Sequence, residues 1–148
     1  MTASSHRPEA GPALGSLDIN DFDVVVNNAA LYQGDAALLK SLNYDLPVSI
    51  CRRKTHGQVI NILDGTSRPA PWKNELREFT LASHVSCLTS NVRINGVLLG
   101  PVLPPDGFHL KADPCPKGRP TVHDVALAVQ RLIEDNYANH TIIDVTGR

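Results

Sequence analysis

Four short runs rich in β-branched residues punctuate this sequence, and stretches with apolar residues at helical spacing separate them. The runs are Asp23-Val24-Val25-Val26, Gly57-Gln58-Val59-Ile60-Asn61-Ile62-Leu63, residues 92–99, and Thr141-Ile142-Ile143-Asp144-Val145. The first is continuously apolar rather than alternating, which is the pattern of a strand covered on both faces in a parallel sheet. It stops at Asn27-Asn28, turn formers that strands disfavour. Between the runs, 36–50 reads as helix, with Pro47 either bending it or marking its true start. Residues 75–90 read as a second helix, with Leu76, Phe79, Ala82, Val85 and Leu88 near helical spacing. A third spans 121–134, with Thr121 as its N-cap and Asp124 as the acid of a shortened capping box. This repetition predicts an α/β fold built on a parallel sheet with right-handed crossovers.

At 148 residues the chain has the size of one domain, and 42% hydrophobic with 20% charged residues excludes wholesale disorder. Lys plus Arg is 14 against 15 for Asp plus Glu, a formal charge of −1. That balance argues against nucleic acid or an anionic membrane as the main partner, since both need a basic field. No apolar run approaches the ~18–20 residues needed to span a bilayer. The first eight residues lack the apolar core of a secretory signal, so the expected location is cytoplasmic. Residues 1–16, rich in Pro, Gly, Ala and Ser, read as a flexible leader, with the folded domain covering 17–148. Cys51, Cys87 and Cys115 are odd in number and form no C-x-x-C pair, so they read as free thiols, with no metal site. Residues 101–120 are dense in Pro and Gly and form a long loop of the binding or lid type.

The polar residues at the ends of these runs carry the functional candidates, and each has two readings. Asn27 and Asn28 either contact a ligand or satisfy a turn through their side chains. Asp64 ends the second run, where open α/β sheets place their chemistry, or is simply the turn residue before Gly65. Trp72 either stacks on a flat ring or plugs the core. Lys73, Arg77 and Glu78 read as a solvated helix face. His84 reads as a surface residue rather than a catalytic acid.

The order of these motifs resembles the short-chain dehydrogenases/reductases. Val26-Asn27-Asn28-Ala29-Ala30 resembles their N-N-A-G element, and Leu42-Asn43-Tyr44-Asp45-Leu46-Pro47 the helix segment with the structural Asn. Val59-Ile60-Asn61-Ile62 resembles the strand before the catalytic serine. Val92-Arg93-Ile94-Asn95-Gly96-Val97 with Gly100-Pro101-Val102 resembles the R-V-N strand and its P-G loop. Thr121 to Ala126 is similar to the late helix start, and Ile142 to Gly147 to the final strand. Ile60-Asn61-Ile62-Leu63-Asp64 resembles the pteridine reductase group, in which aspartate replaces the serine, and Phe79-Thr80-Leu81-Ala82-Ser83 that group's Y-T-x-x-K segment.

The resemblance implies a doubly wound, Rossmann-like parallel sheet and an NADP(H)-dependent oxidoreductase acting on a small planar substrate such as a pterin. It places Asp64 and Asn43 in the catalytic set. It places Asn27, Asn28, Ile62, Gly100, Pro101 and Val102 against the cofactor. The sequence departs from the family in three ways. It has no strand with a Gly-rich turn to receive a pyrophosphate, so a partial fold lacking the N-terminal βαβ unit is expected. The proton-donating tyrosine is Phe79 and the lysine four residues on is Ser83. These departures predict a degenerate relative, inactive alone and binding NADP(H) weakly or not at all. The alternative is a working NAD(P)H-dependent oxidoreductase completed by a partner chain. A bare β-branched edge at residues 23–26 predicts a homo- or hetero-oligomer in either case.

Overall fold

The computed structural model describes residues 17–82, 91–102 and 119–147. Strands β1 (Val24–Asn27), β2 (His56–Asp64), β3 (Asn91–Leu99) and β4 (Ile142–Val145) form one parallel sheet in the order β1-β2-β3-β4. The helices are α1 (Ala36–Lys40), α2 (Leu46–Arg53), α3 (Lys73–Ala82) and α4 (Val122–Glu134). All four expected strands are present within two residues of the sequence reading. The leader, the segment with Ser83, His84 and Cys87, and the Pro-rich loop with Cys115 lie outside the described residues.

The two faces of β2 show why its sequence is a continuous apolar run. Val59 packs with Ile50 and Cys51 of α2, and Leu63 with Val48 of α2 and Leu76 of α3. Ile60 and Ile62 face the other way, against Ala128 and Leu132 of α4. The sheet is thus wound on both sides, with α2 and α3 on one face and α4 on the other. Successive strands advance in one direction while α4 lies on the opposite face from α2 and α3. The β3–β4 connection therefore has the opposite hand to the first two, and the expectation of uniformly right-handed crossovers is corrected. The preference comes from a right-twisted strand feeding a helix that packs straight back onto the sheet; here β3 ends at Leu99 and α4 begins only at Val122.

Pro47 stands in the first turn of α2, as one of its two readings had it, although helical backbone already precedes it. The backbone runs helically from Ala36 to Arg53, and a single π-helical turn, Ser41–Asp45, joins α1 to α2. Pro47 has no N–H to give the Asn43 carbonyl, and its ring would crowd that carbonyl in a regular helix. The widened turn, closed by the Leu46 N–H donating to Ser41 O, relieves the clash. At the opposite end of the sheet, Gln58 N–H donates to Asp23 O at 2.9 Å, and Gly57 takes φ 79°. A β-carbon there would collide with Asp23 O, so only glycine lets β1 begin against β2.

Candidate functional site

Asp64 lies at the carboxyl end of β2, and its carboxylate organises the loop that follows. Oδ1 accepts from Thr66 N at 3.0 Å and Thr66 Oγ1 at 2.6 Å, and Oδ2 accepts from Ala70 N at 2.7 Å. The Tyr32 hydroxyl donates to the same carboxylate from the loop after β1. Burial pushes the Asp64 pKa up, but the bonds from Thr66, Ala70 and Tyr32 outweigh it, so the group sits below the ordinary aspartate value and is ionised. Tyr32 is shifted the other way, by burial first and then by the charge and hydrogen bond of Asp64, which hold its hydroxyl protonated. A cavity of about 390 Å³ opens beside Asp64, with Thr66, Asn74, Arg77, Asp144 and Thr146 in its wall.

Lys73, expected on a solvated face, is 2% exposed. Its Nζ donates to Ile62 O at 2.9 Å and to Ala29 O at 3.2 Å, bridging the ends of β2 and β1. Burial pushes its ammonium down to about 8, against the opposing pull of Asp64. The helical periodicity was legible, but Lys73 is the first residue of α3 and Trp72 before it takes φ 69°, a left-handed conformation rare for a bulky residue. That bend turns Lys73 inward. The Trp72 ring, 37% exposed, lies 5.8 Å from the Tyr44 ring and 5.3 Å from Lys40 Nζ, so it rests on these neighbours.

Asn43 is fully buried within the π turn. Its Oδ1 accepts from Leu31 N at 2.8 Å, and its Nδ2 donates to Leu31 O at 2.7 Å and Pro71 O at 2.8 Å. It clips together the loops that follow β1 and β2. Asn27 Nδ2 donates to Asn61 Oδ1 at 2.7 Å, and Asn61 Nδ2 donates to Thr80 Oγ1 at 3.0 Å, which donates to Leu76 O. In the sequence Asn61 shows only as part of a strand. The register pairing Asn27 with Asn61 turns it into the middle of a buried polar ladder from β1 to α3.

The other positions given to the cofactor fare unevenly. Ile62 buries its side chain against α4 while its carbonyl accepts from Lys73. Gly100 lies against Thr146, whose backbone a β-carbon would strike. Asn28 and Pro101 are exposed and Val102 is half-buried. Phe79 packs in the core between α2 and α3 with Arg52 over its ring at 5.9 Å. The helix starts do not suit a pyrophosphate either. Asp35 caps α1, and Thr121 with Asp124 caps α4, so each presents a carboxylate where a phosphate would need bare N–H groups. These two helix starts therefore offer no seat for a pyrophosphate. Among the described residues no group of three His, Cys, Asp or Glu side chains could hold a metal ion, and no helix is long and apolar enough to cross a membrane.

No protein-family model matches the sequence, and no curated protein does. Solved structures match in shape. A FolM alternative dihydrofolate reductase 1 from Brucella canis, solved with NADP, matches with TM-score 0.65 at 21% identity, over 84% of this chain and 62% of that one. A 4-hydroxyisoleucine dehydrogenase, solved with NADH and succinate, matches with TM-score 0.67 at 16% identity, over 95% and 77%. A short chain dehydrogenase/reductase family protein matches with TM-score 0.65 at 22% identity, over 93% and 70%. This chain thus spans under two thirds of the length of the Brucella protein. The parallel four-stranded sheet with helices on both faces is the Rossmann-like fold of short-chain dehydrogenase/reductase proteins.

Proposed function

We propose that the chain is a non-catalytic short-chain dehydrogenase/reductase-like scaffold, descended from an NADPH-dependent reductase of the pteridine reductase type. The observation that carries this reading is the internal commitment of the site. Asp64 holds its own loop, Lys73 is capped by two carbonyls, and the Asn43 and Asn27 amides bond within the protein. A proton donor must reach a reacting atom, and losing one removes about 10²–10⁴-fold in rate. The descent is supported by the aspartate at the end of β2. The test is titration of the purified chain with NADPH, followed by nicotinamide fluorescence, and assay with a dihydropterin. No turnover and no saturation at micromolar NADPH are expected. A low-micromolar dissociation constant or measurable pterin reduction overturns the proposal.

The second reading, an NAD(P)H-dependent oxidoreductase completed by another chain, is favoured by β1. It has β2 on one side only among the described residues, and Val26 is 40% exposed. Such an edge is a template for pairing. Sedimentation at micromolar concentration is expected to show self-association, and a stable monomer with slow amide exchange through Val24–Val26 counts against it.

A further inference from the structure

We infer that the space between the carboxyl ends of β1 and β2 is a binding seat for a primary amine, filled in this chain by its own Lys73. Here the groups facing inward are acceptors: Ile62 O and Ala29 O, both bonded to Nζ, with the negative charge of Asp64 acting on the same site. Two carbonyl oxygens and a nearby carboxylate complement an amine with several N–H donors, and they repel a phosphate.

The backbone leading to the seat is arranged to deliver that group. Pro71 O is held by Asn43, the Trp72 ring rests between Tyr44 and Lys40, and Trp72 itself is bent into the left-handed region. Both the bend and the burial of an ammonium are unfavourable by themselves. The holds on Pro71 and on the Trp72 ring stabilise what neither residue would adopt alone. Through Ala29 the seat also holds the loop after β1, whose Leu31 is gripped at both backbone groups by Asn43. The ammonium therefore acts as an internal ligand that closes this loop on β2. The inference concerns what the crevice accepts, and it stands whether or not the protein turns over a substrate.

The experiment is side-chain excision with chemical replacement in the full chain. Lys73→Ala removes three methylenes and the amine, the size of n-propylammonium. The thermal midpoint is followed while n-propylammonium chloride is added, with tetramethylammonium chloride, which has no N–H, at matched ionic strength. We expect Lys73→Ala to lower Tm and n-propylammonium to raise it again by roughly 3–5 °C at 100 mM, the response for a dissociation constant of about 10 mM. Wild type and the tetramethylammonium series should show no such rise, and amide exchange at Leu31 should slow again when the amine is present. Equal responses to the two salts, or none to either, overturn the inference. Should Lys73→Ala not fold, Lys73→Met keeps the stem and removes the donors. It is then expected to exchange the Leu31 amide at least tenfold faster than wild type, and unchanged exchange overturns the inference.

Discussion

Two residues set the behaviour of the strand ends, and they respond to pH in opposite regions. The Lys73 ammonium is held near 8 in the folded protein against 10.5 unfolded, so between these values the unfolded chain binds the extra proton. Stability contributed at this site is therefore lower below pH 8 and rises as pH climbs towards 10.5, by about 3 kcal/mol in total. Denaturant unfolding of wild type against Lys73→Met across that range is expected to show the difference moving in favour of wild type. Asp64 works in acid: its folded pKa is depressed, so the stabilisation is present above 3.8 and is lost as pH falls through the folded value. Replacing it with alanine leaves the Ala70 and Thr66 N–H groups without their acceptor, and a loss of about 2–4 kcal/mol is expected in urea unfolding. Asp64 was legible because a carboxylate after a β-branched run stands at a strand end. Lys73 was not, because a lysine beginning an amphipathic segment looks solvated until Trp72 reverses the backbone before it.

At the scale of elements, the four strands were readable because β-branched runs covered on both faces have no other use in a chain this size. Helix α4 was readable from its cap as well as its periodicity. Thr121 Oγ1 accepts from Asp124 N at 3.2 Å, and Asp124 Oδ2 accepts from Thr121 N at 2.6 Å, the reciprocal pair that the spacing implied. Thr121→Ala is expected to lower stability by about 1 kcal/mol in chemical denaturation, with the far-ultraviolet helix signal nearly unchanged. The first helical stretch was only half readable. Pro47 announced an irregularity, but its form, a π turn with a buried asparagine in it, depends on Leu31 and Pro71, which approach from distant loops. The Asn27–Asn61–Thr80 ladder was hidden for the same reason: it exists only once β1 and β2 are in register and α3 is laid across them.

For the whole molecule, the reversal of hand between β3 and β4 divides the chain into parts of unequal independence. The stretch from β1 to β3 is a sequential winding in which each strand finds its partner after one local excursion, and its polar ladder ties the layers together. The unit of α4 and β4 places its helix on the opposite face, and it is fastened at its turn by Asn95, whose Nδ2 donates to Ala138 O and whose Oδ1 accepts from Thr141 N. Native-state hydrogen exchange under mild denaturant is therefore expected to resolve two openings: α4 with β4 at a lower free energy, and the β1–β3 body at the global value. A single free energy for all protected amides would contradict this. Since α4 packs over Ile60, Ile62 and Val97, each such opening bares apolar residues on one face of the sheet while the other face keeps its cover. The protein thus carries a concealed adhesive surface. Its exposure is governed by the detachment of one helix rather than by loss of the fold, and its solubility on warming should fail before its secondary structure does.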